Sequence, residues 1–467
     1  MTTLKTNNRQ LPASFRDPSG FLFSRGGVLY RQINRAYENE YMRLMASGLY
    51  ERLVKVGLLI PHVEVDQAPS ESEALPNGDV AFKVIQPERV PFISYPYEWS
   101  FGELKDAAHA TLSIQKRALK ADMSLKDASA YNIQFVRGKA ALIDTLSFEI
   151  YDEGQPWVAY RQFCQHFLAP LALMALKDVR LNQLLRVYID GVPLDLASEL
   201  LPSKTRLNFG LLTHIHLHAG AQKRYSGEEV KARGGMSRQA MVGLIESLES
   251  TISKLNWSPR GTEWANYYEI TNYSDAAFDH KKQLVKEWSQ RLKPEMVWDL
   301  GANNGAFSRV ASEIGAYVVS FDIDSAAVEQ NYRQVKTDKT ANLLPLLLDL
   351  TNPSPAIGWA NQERDSFGAR GPADLVLALA VIHHLAISNN VPLPKLTDFF
   401  AETGKWLVIE FVPKADSQAK KLLVSRRDIF PHYTRDGFET AFKEKFEICE
   451  AVEIQESERV LYLMQKH

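Results

Sequence analysis

The chain has 467 residues, more than one ordinary hydrophobic core takes up, so two or three domains are expected. Its 45% hydrophobic and 24% charged content is that of a globular protein, and the lack of any run of about 18 apolar residues excludes a transmembrane helix. A formal net charge of −2 removes bulk attraction to nucleic acid or to an anionic membrane, and two widely spaced cysteines, Cys164 and Cys449, remove a disulfide framework and a cysteine zinc site.

Few cysteines fit a reducing compartment, and the polar stretch Met1–Gln10 has no apolar core of signal-peptide length, so a cytoplasmic location is expected. Phe21–Phe23 and Val28–Ile33 predict a hairpin around Gly26-Gly27, followed by helices over Arg35–Met45 and Tyr50–Val56. The polar run Glu64–Asp79 reads as a loop. A strand over Val90–Tyr95 is expected to lead into a hinge-like Pro96–Trp99, and a helix over Phe101–Leu119 follows.

Asp127 then precedes Asn132 by five residues, Ile133–Val136 and Ala140–Ile143 form two short strands joined at Arg137-Gly138, and Asp144 ends the second. Over roughly residues 17–220 this layout resembles the protein-kinase-like superfamily, an α+β two-lobed fold. The resemblance implies that Asp127 accepts a substrate proton and that Asn132 and Asp144 hold magnesium against the phosphates of ATP. It assigns the strand cation to Arg31, paired with Glu40 or, less well, Glu51. Lys83 in Val80-Ala81-Phe82-Lys83 mimics the lysine motif, but no room remains after it for the helix that supplies the glutamate. Leu125-Lys126 stands where the resemblance has His-Arg, Thr145-Leu146 where it has Phe-Gly, and no full glycine-rich phosphate loop is present. These departures favour a domain without phosphotransfer. A bare structural reading also stands: Asp127 caps a turn and Asp144 ends a strand.

The apolar stretch Phe167–Leu176 is too short to span a membrane and reads as core. Gln222–Gly235, with Gly227, Gly234 and Gly235, is the linker candidate, and residues 221–258 are taken as linker and helix. Trp257, Trp264, Tyr267, Tyr268 and Tyr273 form an aromatic segment that suits either a lid or interdomain packing. Lys281 and Lys282 are expected on a solvated helix face.

The most informative stretch is Met296-Val297-Trp298-Asp299-Leu300-Gly301-Ala302-Asn303-Asn304-Gly305, an apolar strand running into a glycine turn and a helix from Ala306 to Ile314. This is how α/β folds open a nucleotide site. The spacing is not Gly-x-Gly-x-x-Gly, so the dinucleotide fingerprint fails. Tyr317–Phe321 forms the next strand and ends at Asp322, about 20 residues beyond Gly301, where an acid is placed for ribose hydroxyls. Further strands are read at Leu343–Leu348 before Asp349, at Asp374–Ile382 before His383-His384, and at Trp406–Phe411 with Glu410. Phe446–Ile454 and Val460–Met464 suit an antiparallel pair.

Over roughly residues 259–467 these motifs resemble the class I S-adenosyl-L-methionine-dependent methyltransferases, α/β Rossmann-like domains with a seven-stranded sheet. The resemblance implies that Asp299, Gly301, Asn303 and Gly305 hold the methionine part of the cofactor, Asp322 the ribose and Asp349 the adenine amino group. It also places His383, His384 and Glu410 where a base or a substrate-orienting group would stand. The bland readings are structural packing for the histidines and a solvated strand-end acid for Glu410. The C-terminal half is loosely similar to methyltransferases of bacterial nodulation and polysaccharide loci.

The fourth strand reads Leu377-Ala378-Leu379-Ala380 rather than Asn-Pro-Pro-Tyr, which lowers the case for nitrogen methylation of a nucleobase, and Asn352-Pro353-Ser354-Pro355 is a loop after the third strand. The expected acceptor is a small molecule, glycan or lipid-linked sugar, methylated at oxygen. The N-terminal domain would then recognise substrate or a protein partner. Two alternatives stand beside this reading: a bifunctional kinase and methyltransferase acting on one glycan or small molecule, and a non-catalytic scaffold binding nucleotide or S-adenosyl-L-methionine.

Overall fold

The computed structural model describes residues 9–66, 80–218, 235–259, 274–424 and 427–467. Most of the linker candidate, and Trp264, Tyr267, Tyr268 and Tyr273 of the aromatic segment, lie outside the described residues. The chain divides into two compact units: Leu4–Ser258 together with Ile357–Arg364, and Pro259–Ala356 together with Asp365–His467. The short segment Ile357–Arg364, expected within the C-terminal domain, therefore belongs to the N-terminal unit.

In the N-terminal unit, strands β1 (Arg9–Gln10), β2 (Gly20–Arg25), β3 (Val28–Asn34), β4 (His62–Val65) and β5 (Ala81–Pro87) form one antiparallel sheet in the order β1-β2-β3-β5-β4. Helices Glu38–Ala46 and Leu49–Lys55 lie between β3 and β4 in the chain. The strand expected at Val90–Tyr95 does not form; the strand before Pro96 is β5 instead. Pro91 has no N–H for a ladder, whereas Ala81–Pro87 pairs with both β3 and β4. Lys83 accordingly sits on β5, after both helices, and pairs with Glu64 on β4.

The helix Phe101–Leu119 starts as expected because Ser100 and Glu103 form a reciprocal cap: Glu103 N–H donates to Ser100 Oγ at 3.3 Å and Ser100 N–H to Glu103 Oε2 at 2.8 Å. It buries Leu104, Ala107, Ala108, Leu112 and Ala118. The helix Arg238–Lys254 belongs to the same unit, and Lys105 Nζ caps its end by donating to Leu255 O at 2.7 Å. Two short ladders follow, β6 (Met123–Leu125) with β9 (Phe148–Ile150) and β7 (Ile133–Val136) with β8 (Lys139–Leu142). They bracket Asp127, Asn132 and Asp144. Phe167–Met174 is buried, as its composition requires.

In the C-terminal unit, β10 (Met296–Leu300), β11 (Tyr317–Asp322), β12 (Leu343–Leu347), β13 (Ala373–Ala378), β14 (Gly404–Phe411), β15 (Phe446–Glu453) and β16 (Val460–Lys466) form one sheet in the order β12-β11-β10-β13-β14-β16-β15. Neighbours are parallel from β12 to β14, and β16 runs antiparallel between β14 and β15. The near-continuous apolar runs of β10, β12 and β13 follow from burial of both sheet faces. Helices Asp275–Leu292 and Ala306–Glu313 cover one face through Val285, Trp288, Phe307 and Ala311. This is a Rossmann-like α/β sheet of seven strands, with its reversed strand next to the last, the arrangement that the sequence resemblance implied. β13 is shorter than the apolar run suggests: Ala380 adopts φ +53°, and the chain turns before His383 leads into a π-helical turn over His384–Ser388.

Candidate functional site

The C-terminal ends of β10, β11 and β12 lie side by side, and each carries one of the predicted residues. β10 ends in Gly301 at φ +82°, and a Cβ there would come within 2.8 Å of Val381 Cγ2. Gly305 has φ +79°, and its Cβ would fall 2.5 Å from the Asn331 amide. Both positions exclude a side chain, by sterics and by backbone conformation. The N–H groups of Gly301 and Ala302 donate to Phe321 O at 2.9 Å, tying the turn to β11. Asp322 receives Asn303 N–H on Oδ2 at 2.7 Å and Asp324 N–H on Oδ1 at 2.8 Å. Asp324 in turn caps the helix Ser325–Asp338, taking Ala326 N–H at 2.7 Å. At the next tip, Leu348 N–H reaches Asp322 O at 2.9 Å, and Asp349 Oδ1 takes the Thr351 hydroxyl at 2.6 Å.

Asp299 lies below the turn, buried, and receives the Ser308 hydroxyl at 2.6 Å. Burial pushes its carboxyl up to about 7, against the Ser308 bond and the charge of Lys281. Packing likewise raises Asp322 to about 6, although the N–H groups of Asp324 and Asn303 oppose it. Two carboxyls one strand apart thus titrate near neutral pH.

His383 is fully buried, and neither ring nitrogen has a hydrogen-bond partner among the described residues. Desolvation first, then His384 and Arg459, holds it well below the ordinary imidazole value. The His384 ring lies 4.2 Å from it and is half-buried, and burial followed by Arg459 lowers it to about 4. Both imidazoles are therefore neutral near pH 7, and His384 is the more accessible.

Glu410 is not the solvated acid of the bland reading. It is fully buried, with Lys281 Nζ at 2.5 Å from Oε2 and Arg459 Nη1 at 3.1 Å from Oε1. Arg459 also forks onto Asp416, Nε to Oδ2 at 2.8 Å and Nη2 to Oδ1 at 3.1 Å. Lys281, expected on a solvated face, is 2% exposed and lies 4.6 Å from the centre of the Phe307 ring. Its neighbour Lys282 is half-buried over Phe278. Sequence reasoning missed Lys281, Asp416 and Arg459 as one cluster. A signal for Lys281 existed, because it falls on the helical stripe of Ala277, Leu284, Val285 and Trp288.

In the N-terminal unit Asp127, Asn132 and Asp144 come together, joined by Arg31. Burial raises the Asp127 carboxyl, and Asp144 adds to the rise by like charge, while Ser129 N–H, Asn132 and Gln162 bond to it. Arg31 Nη1 lies 2.6 Å from Asp144 Oδ1 and Nη2 lies 3.2 Å from Asp17 Oδ2. The expected pairing of Arg31 with Glu40 is not made among the described residues, and Glu51 is exposed. The guanidinium turns to the two aspartates instead. Asp17, in the loop before β2, was not anticipated.

No protein-family model matches the chain. Among solved structures, the magnesium protoporphyrin IX methyltransferase ChlM from Synechocystis PCC 6803 with bound SAH is similar over 44% of this chain and 93% of its own, at 15% identity and a TM-score of 0.31. The N-methyltransferase NodS from Bradyrhizobium japonicum WM9 is similar over 41% of this chain and 98% of its own, at 11% identity and a TM-score of 0.30. At the sequence level, the chain is 36% identical over 465 residues to nodulation protein NoeA of Rhizobium meliloti (strain 1021), covering 98% of this chain and 96% of the relative. With an alignment that spans nearly the whole of both chains, the chain belongs to the family of nodulation protein NoeA.

Proposed function

We propose that the C-terminal unit transfers a methyl group from S-adenosyl-L-methionine to a small-molecule or glycan acceptor. The observation that carries this reading is the row of strand tips: Gly301 and Gly305 hold a left-handed turn in which any Cβ would strike Val381 or Asn331, and Asp322 and Asp349 stand at the tips of the next two strands. A nucleoside with an extended polar tail fits that row. Asp322 would accept the ribose hydroxyls, Asp349 the adenine amino group, and the 299–305 turn would face the methionine part. The cofactor, when bound, supplies a methyl group activated by its sulfonium.

The residues of the chain would then do the remaining work. Bringing the acceptor close to the methyl group is the main requirement of an in-line displacement. His384, neutral and half-buried, would take a proton from an acceptor hydroxyl. Glu410 would act as a positioning group rather than a base, because its two oxygens are held by Lys281 and Arg459. The sequence at the fourth strand favours oxygen over nucleobase nitrogen as the atom methylated.

The N-terminal unit is read as kinase-like. Its sheet order with two helices between β3 and β4, the segment Pro96–Trp99 before a long helix, and the paired ladders around Asp127, Asn132 and Asp144 support this. Its role in this reading is recognition of the acceptor or of a protein partner.

The test is calorimetric titration of the intact protein with S-adenosyl-L-methionine and S-adenosylhomocysteine. Binding is expected in wild type, and Asp322→Ala should weaken it by about 1–3 kcal/mol through lost hydrogen bonds to a charged group. No binding in wild type would overturn the reading.

A further inference from the structure

The kinase-like resemblance implies a magnesium ion held by Asn132 and Asp144, and the geometry does not fit one. Asp144 Oδ1 already takes Arg31 Nη1 at 2.6 Å and Leu146 N–H at 2.9 Å. Its other oxygen takes the Ser147 hydroxyl at 2.8 Å. The Asn132 side chain is committed as well, bonding to Asp127 and donating through Nδ2 to Ser147 Oγ at 3.4 Å. Magnesium requires free oxygen ligands at about 2.0–2.1 Å in near-octahedral order. Here it would meet oxygens facing donors, next to a guanidinium that cannot lose its charge.

The segment before β2 completes the arrangement. Asp17 places a second carboxylate 3.2 Å from Arg31 Nη2. Pro18 O accepts Asn34 Nδ2 at 2.9 Å, and Ser19 Oγ accepts Lys126 Nζ at 2.6 Å. Residues 17–19 are thus tied both to β3 and to the residue preceding Asp127. Arg31 lies with its side chain 12% exposed between Asp17 and Asp144.

We infer that the cluster of the N-terminal unit is built to hold together without a divalent cation, Arg31 being its resident positive charge. Asp144 binds the guanidinium from one side and Asp17 from the other, and Asp127 adds its field. Removing Arg31 leaves three carboxyl groups and the Asn132 amide without a cation, a donor set that a hard divalent ion prefers. The inference concerns only these side chains and stands apart from methyl transfer, which belongs to the other unit.

The experiment titrates the full-length protein with Mn2+, following free ion by electron paramagnetic resonance. Wild type and Asp144→Asn are expected to give the same curve. Arg31→Met is expected to gain a Mn2+ site, and Asp144→Asn in that background should remove it. A wild-type site that Asp144→Asn abolishes would overturn the inference, as would a folded Arg31→Met protein that gains nothing. Should Arg31→Met not fold, Arg31→Gln is read in the same way, and the wild-type comparison with Asp144→Asn decides in either case.

Discussion

Lys281 Nζ lies 2.5 Å from Glu410 Oε2, with 3% of the lysine side chain and none of the glutamate side chain exposed. One comes from the helix before β10 and the other from β14, so this pair fastens a covering helix to the sheet it covers. A buried charge that loses its partner is costly, whereas replacing both partners with apolar groups can be nearly neutral. Glu410→Ala should therefore destabilise the C-terminal unit by about 3–5 kcal/mol, because Lys281 and Arg459 both lose a counter-charge. The double variant Lys281→Met with Glu410→Gln should recover part of that loss. Urea unfolding monitored by tryptophan fluorescence checks both. A Glu410→Ala protein as stable as wild type but inactive would instead make Glu410 a group of the chemistry.

Gly301→Ala is expected to abolish cofactor binding, because its Cβ would press on Val381 Cγ2 at 2.8 Å and φ is +82°. Gly315→Ala is the control: φ is +99° there, but nothing among the described residues lies within 4 Å of the new Cβ. The control carries the strain of a left-handed alanine, about 1–2 kcal/mol, without the clash. Calorimetry on the two variants should show binding lost in the first and kept in the second, with both somewhat less stable.

The raised Asp299 and Asp322 carboxyls predict a pH signature. Their folded values, about 7 and about 6, exceed the unfolded value of about 3.9, so the folded protein holds more protons in between. Their contribution to stability is complete below about pH 4 and is lost as pH rises through about 6 to 7. Asp299→Asn removes one such group and should gain on wild type as pH rises from about 5 to about 8, by at most about 1.4 kcal/mol per pH unit. The depressed His383 acts with the opposite sign, since its unfolded form charges near pH 6.5 and its folded form does not. Urea midpoints measured across the range check the difference between wild type and variant, which cancels the histidine contribution. A constant difference would show that Asp299 is ionised throughout.

The two histidines should separate in function. His384→Gln is expected to lower turnover by about 10²–10⁴-fold while cofactor affinity is kept, the loss typical of a removed general base. His383→Leu should leave stability unchanged or raised, because a buried imidazole without hydrogen bonds gains little from its polarity. Single-turnover assays with an identified acceptor, and thermal unfolding, provide the readouts.

The cysteines should differ in reactivity. Cys449 is exposed on β15, whereas Cys164 is fully buried and its thiol is pushed up to about 12 by burial. Maleimide should label Cys449 alone in the native protein and both after denaturation, as read by mass spectrometry. Labelling of Cys164 under native conditions would indicate local opening of its helix.

Much of the C-terminal sheet was readable because parallel strands buried on both faces leave uninterrupted apolar runs, and glycine turns and strand-end acids punctuate them. The positions of Gly301, Asp322 and Asp349 at strand ends were legible in this way. The end of β13 was missed, because Ala380 at φ +53° is not a residue type that announces a turn. Arg31, Asp144 and Glu410 were singled out, but the partners they take were not, for another reason. Arg31 with Asp17 and Asp144, and Lys281 with Glu410 and Arg459, join residues from different elements, and nothing local couples them. The strand at Val90–Tyr95 failed because its apolar composition outweighed Pro91 in the reading, although the missing N–H decided the outcome.

The strand order also bears on how this unit is made. β10 pairs on one side with β13, setting Trp298 beside Val376, and the chain between them must first build β11 and β12. Closing such a long loop before any ladder rewards it slows folding. Until β13 arrives, β10 presents a bare apolar edge, the kind of surface that chaperones and aggregation compete for. Newly synthesised chains should therefore be at their most vulnerable while β10 waits for its neighbour.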